Sequence, residues 1–339
     1  MALTSPQAHE VWRKLVPQPT AKLKKLQLPP YYMVTRRQAA LGLLGVTFLW
    51  GGTFVWMKQA LNAAEPEIVQ YSRPGVVGVL VSARFMIAFV LLTFLSTRAR
   101  NGLSSKENWI GGGILGGVML AGFILQMIGL DSVEPSVSAF LTSLYVVFTA
   151  IFAVKLSDRK PTRILALGVV LATLGAGFID GPPHIVWGVG ELLTVACAVF
   201  FALHIIYTDD ITKRMDPLAV ALTSFAVVAF GAGIFGLVAA KDVNALSLSY
   251  KEGIILPLLL LGIFGSLICI VALNALQRHL NPTHAAIIYA FEPVWATLYG
   301  MAENMVTVSI WLAVGGITLL IGNIIVEMEA AKDENHLSE

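Results

Sequence analysis

Residues 139–150, AFLTSLYVVFTA, and residues 286–297, AIIYAFEPVWAT, decide the fold of this 339-residue chain. The two stretches align at an offset of 147 residues, and the same alignment pairs Pro135 with Pro282. Both stretches are mostly apolar, which favours buried or membrane-embedded helices. The chain is therefore predicted to contain an internal repeat built from apolar helices.

The composition around these stretches places the whole chain in a lipid bilayer. Hydrophobic residues make up 56% of the sequence and charged residues 13%, about half the charged fraction of ordinary soluble domains. The mean hydropathy is +0.75. Too few polar residues remain to cover a soluble protein of this size, so a soluble enzyme, a disordered chain and a fibrous protein are excluded. The net charge of +2 gives no reason to expect a nucleic-acid partner.

Ten apolar runs are long enough to cross the membrane, which takes roughly 20 residues per helix. They leave short loops, a basic N-terminal tail at 1–37 and a C-terminal tail at 328–339. The fold class is thus an all-α polytopic membrane protein. The runs lie near 38–60, 75–96, 108–129, 134–154, 163–180, 187–208, 217–239, 253–273, 282–302 and 307–327.

The distribution of basic residues sets the expected orientation. With both termini in the cytoplasm, 18 of the 23 Lys and Arg residues lie in cytoplasmic segments and 4 in external ones. Basic residues accumulate on the cytoplasmic side of membrane proteins. We therefore expect both termini inside, in a bacterial inner (plasma) membrane.

The two halves, 38–180 and 187–327, are expected to be inverted repeats. A second match sets residues 49–56 beside residues 200–207, in the same order along the chain. Each half holds five spans, and an odd number makes the second half enter the membrane from the opposite side. Inverted repeats recur in secondary transporters, whose substrate binds near the membrane midplane between the halves.

The motifs within these spans resemble those of EamA-type transporters of the drug/metabolite transporter superfamily. This resemblance covers about 38–327 and implies ten helices, a central cavity and export or exchange of small metabolites, without selecting among amino acids, their derivatives, nucleobase-like compounds and drugs. Two loops depart from the family pattern: Ser157-Asp158-Arg159 replaces Gly-Glu-Arg, and Glu303-Asn304 replaces Glu-Arg. The resembling motifs are Leu49-Trp50-Gly51-Gly52-Thr53-Phe54, Ala83-Arg84-Phe85-Met86-Ile87-Ala88, residues 122–130, Ala139 to Tyr145, residues 157–161 and Phe291-Glu292-Pro293-Val294.

Two charged residues, Arg84 and Glu292, lie near the middle of predicted spans, where charge is expensive and needs a partner. Glu292 either binds a substrate amino group or exchanges a proton, or it caps a helix broken beside Pro293 and joins two helices. The repeat places Tyr145 at the counterpart position, which predicts an asymmetric site. Arg84 pairs with Glu292, binds a carboxylate, or bonds backbone carbonyls in a structural role, which we favour.

Other polar and aromatic residues are candidate cavity residues. His204 is either a proton relay, because imidazole titrates near neutral pH, or a packed neutral histidine, with Tyr207 on the same helix face. Trp50 either lines the cavity or faces lipid. Lys58, near the external end of its span, is a structural or gating residue.

Neutral polar side chains on four different spans must find hydrogen bonds in a shared cavity or between helices. Trp295, three residues after Glu292, is a candidate for the cavity wall. The four polar residues are Gln126, Tyr145, Asn274 and Tyr289.

The sequence therefore predicts a secondary transporter for small amphipathic organic metabolites, working by alternating access and acting as an exporter. No catalytic residue cluster, nucleotide-binding motif, cofactor or metal site is expected. The alternatives are a nucleotide-sugar or sugar-phosphate carrier, which would need more buried cations, and a non-transporting scaffold or sensor. The expected partners are a small-molecule substrate and the bilayer. The family resemblance further implies a homodimer through helices five and ten.

Overall fold

A computed structural model describes residues 34–156, 162–178, 188–280 and 288–335. The basic tail up to residue 33, the loop motif at 157–161 and the start of the ninth predicted span lie outside these residues. Every regular element in the described part is a helix, as the composition predicts. In a bilayer the backbone N–H and C=O groups have no water to bond. A helix satisfies them within its own segment, which explains the helical structure.

Helices lie in each of the ten predicted apolar runs, as far as the described residues extend. Short helical segments at Glu65–Glu67, Ile68–Tyr71, Thr97–Gly102, Val243–Tyr250 and Gln277–His279 connect them. The principal helices are α1 (Arg36–Ala64), α2 (Arg73–Leu95), α3 (Lys106–Ser132), α4 (Pro135–Thr142), α5 (Tyr145–Leu156), α6 (Arg163–Phe178), α7 (Val189–Arg214), α8 (Pro217–Ala240), α9 (Ile255–Leu260), α10 (Cys269–Leu276), α11 (Glu292–Ala302) and α12 (Ile310–Asn335).

Seven helical stretches among the described residues are long and apolar enough to cross a membrane, counting α4 with α5 and α9 with α10. Two further apolar helices, Arg163–Ala176 and Ile310–Val326, are shorter. Large apolar side chains such as Phe94, Val238 and Ile317 point outward, exposed by 78%, 71% and 59%. Such surfaces fit lipid rather than water.

Helices α6 and α12 pack along each other through a glycine stripe. A Cβ placed on Gly168 would lie 3.0 Å from the carbonyl oxygen of Gly322, and one on Gly175 would lie 2.6 Å from that of Gly315. Small residues let helix backbones approach this closely in membranes. Because the residue numbers run in opposite directions across the contact, the two helices are antiparallel.

The fourth predicted span is broken into two helices. Helix α4 ends at Thr142 and α5 begins at Tyr145. The Ser143 hydroxyl donates to the Phe140 carbonyl at 2.7 Å, a local bond that competes with continued helix. Asn323 of α12 donates to the Ser143 carbonyl at 3.4 Å, so the interrupted backbone finds a partner on a neighbouring helix.

The ninth span is broken at the matching place. Residues 290 and 291 form a turn, and α11 begins at Glu292, with Pro293 following. Proline has no backbone N–H, so it cannot bond the carbonyl four residues earlier and interrupts a helix. The two turns, at 143–144 and 290–291, are separated by the repeat offset of 147 residues.

Between α9 and α10 the helix widens into a π-helical segment, Leu261–Ile268. Such segments are rare, and they often mark functional positions because the wide turn redirects side chains and carbonyls. This one presents Gly265 and Ser266 toward α1 and α2, as the contacts below show. The predicted eighth span is thus present with a local change of helix type.

Candidate substrate cavity

A cavity lies between the helices of both halves, where two clusters of packed apolar side chains meet. Trp50 and Phe201 pack against both clusters. About 70 Å³ is open to the centres of water molecules, room for a few waters. The cavity is lined by Trp50, Thr53, Arg84, Met119, Phe123, Gln126, Thr142, Tyr145, Phe201, His204, Ile205, Ile270, Leu273, Tyr289 and Glu292.

The first residues of the two half-helices α5 and α11 meet in the cavity wall. The Tyr145 hydroxyl donates to Glu292 Oε2 at 3.3 Å. Glu292 is 93% buried, with 7% of its surface exposed, and Tyr145 is the one hydrogen-bond partner recorded for it among the described residues. A carboxylate in the first turn of a helix is favoured by the helix dipole, which helps to explain a buried acid at this position.

Arg84, on α2, belongs to the same lining and is 1% exposed. Its Nε donates to Ser266 Oγ at 2.7 Å, and its Nη1 contacts the Met57 sulfur at 3.6 Å. The guanidinium carbon lies 4.4 Å from the centre of the Phe123 ring, within the range of a cation–π interaction. No ion pair joins Arg84 to Glu292 in the described structure, so the pairing considered from the sequence is absent there.

Aromatic side chains form one wall of the cavity. The Trp50 indole donates to the Gly265 carbonyl at 3.1 Å, and its ring centre lies 6.1 Å from that of Tyr289. The Tyr289 hydroxyl donates to Gln277 Oε1 at 3.2 Å. Of the two positions considered for Trp50, the structure has the one that lines the cavity.

Polar groups of α3, α4 and α7 face the same space. Gln126 Nε2 donates to Thr142 Oγ1 at 3.4 Å, and Gln126 Oε1 has no hydrogen-bond partner in the described part of the chain. His204 Nδ1 lies 3.5 Å from Thr208 Oγ1, one turn along the same helix. The polar neighbour of the His204 ring is thus a hydroxyl of its own helix.

Several predicted site residues lie outside this lining. Lys58 Nζ donates to the carbonyls of Leu130, Asp131 and Val133 at 2.9, 2.7 and 3.2 Å. It therefore caps the C-terminal end of α3, where a positive charge is favoured. Its ammonium protons are committed to these three carbonyls, which fits the structural alternative.

The remaining predicted residues occupy packed positions. Trp295 packs edge-on against Phe48, 5.4 Å between ring centres. Asn274 is buried, and its Oδ1 accepts no hydrogen bond from the described residues. Tyr207 packs beside the small cluster that includes Ile211. Pro293 is buried directly after Glu292 in α11. None of these four is among the described residues that line the cavity.

Eight lining residues were not singled out from the sequence. Two groups of them have a helical spacing that points to residues already predicted: Met119 and Phe123 precede Gln126 on one face of α3, and Phe201 and Ile205 flank His204 on α7. Thr142 immediately precedes the α4–α5 break. Thr53 follows Trp50 by three residues on α1, and no sequence signal distinguishes the remaining two, Ile270 and Leu273.

Comparison with known proteins decides the family. The sequence profile of the EamA-like transporter family matches residues 37–179 and again 188–328. The chain belongs to this family. EamA-like transporters form part of the drug/metabolite transporter superfamily, so the family indicates an integral membrane transporter.

Two individual proteins are similar to this EamA-like chain. An "Uncharacterized transporter" of Archaeoglobus fulgidus is 28% identical over 272 residues, which cover 79% of each chain. One solved crystal structure superposes with a TM-score of 0.61 at 16% identity, over 88% of this chain and 100% of that one. The second similarity concerns the fold alone.

Proposed function

We propose that this protein is a secondary transporter that exports small amphipathic organic metabolites by alternating access. Its ten spanning helices form two inverted five-helix repeats, 38–180 and 187–327, in the plasma membrane, with both termini in the cytoplasm. The substrate occupies the cavity between the repeats. A gradient of the substrate or of protons drives transport.

The observation that carries this proposal is the contact between Tyr145 and Glu292. The two residues are repeat counterparts, 147 positions apart, and they bond each other at 3.3 Å. Two residues that a two-fold axis relates to each other can be in contact only if both lie close to that axis. A cavity wall built on such a contact lies between the repeats, where inverted-repeat transporters bind their substrates.

The glycine stripe of α6 and α12 supports the same symmetry. Gly168 and Gly175 correspond, at the 147-residue offset, to Gly315 and Gly322. Gly168 faces Gly322 and Gly175 faces Gly315, the reciprocal pattern of a two-fold contact. Because α6 and α12 are antiparallel, a two-fold axis that relates them is perpendicular to both helices. For helices that span a membrane, such an axis lies in the membrane plane, which supports inverted repeats.

The lining chemistry supports an amphipathic organic solute. Aromatic and aliphatic side chains dominate the wall, and the charged groups number two, Arg84 and Glu292, among the described lining residues. A phosphorylated sugar or nucleotide-sugar would require several cations to balance its phosphates. Arg84 alone does not supply them.

Metabolite profiling tests the proposal. Cells producing the wild type, Glu292→Gln or Glu303→Gln at equal membrane abundance are compared by the composition of their medium. Glu303 is the matched control because it is an exposed glutamate just beyond α11. We expect a compound enriched with the wild type and with Glu303→Gln but not with Glu292→Gln.

A second experiment measures transport by the purified protein in liposomes. Flux of the enriched compound, with and without an imposed pH gradient, identifies the driving force. If the three media are identical and no candidate compound crosses liposomes faster with the wild type than with Glu292→Gln, the proposed function is wrong.

A further inference from the structure

One nitrogen of the Arg84 guanidinium, Nη2, has no hydrogen-bond partner among the residues that the structure describes, and it is buried. The Nε of the same group is bonded to Ser266, and Nη1 contacts a sulfur. Nearly all buried polar groups in proteins are hydrogen-bonded, and an unpaired charged donor is especially unfavourable. An orphaned donor that lines a cavity therefore indicates a place where a ligand atom binds.

The π-helical segment keeps space open beside this donor. A Cβ placed on Gly265 would lie 3.2 Å from Arg84 Nη2 and 2.6 Å from the Thr53 Cγ2 methyl. The Trp50 indole holds the same glycine through its carbonyl. Ser266, the next residue, holds the other side of the guanidinium through Nε. Two consecutive π-helical residues thus orient the arginine while leaving Nη2 free.

The charge of the cavity limits what binds there. Arg84 is the one cation among the described lining residues, and Glu292 is the one acid. A single guanidinium balances one negative charge, such as a carboxylate, through charge-assisted hydrogen bonds. A doubly charged phosphate would leave uncompensated charge in a low-dielectric site.

We propose that Arg84 Nη2 binds the single carboxylate of the transported solute, with Gly265 providing its space and Ser266 positioning the guanidinium. The carboxylate belongs either to a simple aromatic monocarboxylate or to a zwitterion whose ammonium faces Glu292. This inference rests on the proposed function, since it assigns one end of the solute that the cavity carries.

Chemical labelling of Arg84 tests the subsite without knowledge of the natural substrate. Wild-type protein in lipid nanodiscs is treated with phenylglyoxal, an arginine reagent, and modification of Arg84 is followed by peptide mass spectrometry. Benzoate, 3-phenylpropionate and phenylalanine are the carboxylate probes; benzyl alcohol and benzylamine are the controls that lack a carboxylate. The exposed Arg98 is the internal reference.

We expect Arg84 to be modified and at least one carboxylate probe to slow its modification about tenfold or more, as suits a hydrogen bond to a charged group. Modification of Arg98 stays unchanged, and the controls do not protect Arg84. Protection by phenylalanine but not by 3-phenylpropionate assigns a zwitterion, and equal protection by both assigns a monocarboxylate. An unreactive Arg84, or equal protection by carboxylates and benzyl alcohol, overturns the proposal.

Variants separate binding from packing. In Gly265→Ala the new methyl occupies the space beside Nη2, so the affinity of the protecting carboxylate falls about tenfold. Gly262→Ala is the matched control in the same π-helical segment, because its Cβ would crowd Ile87 at 2.7 Å and the Arg84 backbone carbonyl at 3.1 Å without approaching Nη2. In Ser266→Ala protection weakens while Arg84 stays reactive, and Ser266→Thr restores protection. If Gly265→Ala and Gly262→Ala behave alike, the subsite is wrong.

Transport measured beside labelling distinguishes the two proposals. Carboxylate protection of Arg84 without any transport by the wild type would contradict the proposed function and leave the subsite standing. Transport that survives Arg84→Gln unchanged for a carboxylate-bearing substrate would contradict the subsite alone.

Discussion

The break between α4 and α5 and the break before α11 share a backbone hydrogen bond but differ in the side chain that follows. At the first, the Leu144 N–H donates to the Leu141 carbonyl at 3.2 Å, and at the second the Phe291 N–H donates to the Ile288 carbonyl at 3.1 Å. These donors and acceptors are repeat counterparts. The first half-helix then begins with a neutral phenol, Tyr145, and the second with an acid.

The causes of the two breaks also differ. Pro293 removes a backbone donor in the second half, whereas Val146 at the counterpart position keeps its own and bonds the Ser143 carbonyl at 3.1 Å. The shared turns thus bring both half-helices to the cavity wall. The differing side chains place a neutral phenol on one half-helix and an acid on the other. Selectivity is expected to depend on the asymmetric residues, and stability on the symmetric ones.

Replacement of the acid removes the chemical difference between the two breaks. We expect Glu292→Gln to lower transport about a hundredfold, the scale for loss of a buried charged contact, at unchanged membrane abundance. Initial rates in liposomes measure it. Transport within threefold of the wild type would show that Glu292 has only the helix-capping role.

Restoring a backbone donor tests the geometric difference. In Pro293→Ala the N–H of residue 293 can bond the Tyr289 carbonyl, which favours a continuous helix. We expect transport to fall about tenfold because Glu292 moves relative to Tyr145. The control is Pro217→Ala at the start of α8, where the N–H that alanine restores has no carbonyl to bond within the helix. Equal effects of the two substitutions would contradict this account of the break.

The symmetric glycines should affect stability rather than selectivity. A Cβ on Gly322 would lie 2.7 Å from the Gly168 carbonyl oxygen, and overpacking of this kind costs about 1–3 kcal/mol. We expect Gly322→Ala to reduce membrane abundance several-fold while the substrate preference of the remaining protein is retained. Gly113→Ala, whose Cβ meets nothing within 4 Å, should have normal abundance. A changed substrate preference in Gly322→Ala would contradict the division of roles.

The smallest effect is expected from the phenol. Tyr145→Phe removes one hydrogen bond to Glu292, and such bonds within membranes contribute about 0.6 kcal/mol on average. Transport should therefore fall about threefold, as measured by initial rates. A loss as large as that of Glu292→Gln would mean that the phenol takes part directly in substrate binding.

The all-helical fold was predictable because a spanning helix needs a long apolar run, which is visible without tertiary information. The 147-residue offset also paired Tyr145 with Glu292 before any contact was known. Contacts that depend on tertiary packing were not predictable: the π-helical segment leaves no compositional mark, and neither the Trp50–Gly265 bond nor the capping of α3 by Lys58 has a local signal. The same limit explains why Arg84 could not be assigned a partner.

The most direct test of inverted repeats is the sidedness of two exposed loop positions. Ser104 follows α2 and Asn244 follows α8, and the two loops are counterparts in the proposed repeats. In protein whose two cysteines, Cys197 and Cys269, are replaced by serine, each loop residue is changed singly to cysteine. Intact cells are then treated with a membrane-impermeant maleimide.

We predict that Asn244→Cys is labelled in intact cells and that Ser104→Cys is labelled only after the membrane is permeabilised. Labelling of both positions from the same side would contradict the inversion, and with it the two-fold contact between Tyr145 and Glu292 on which the transport mechanism rests.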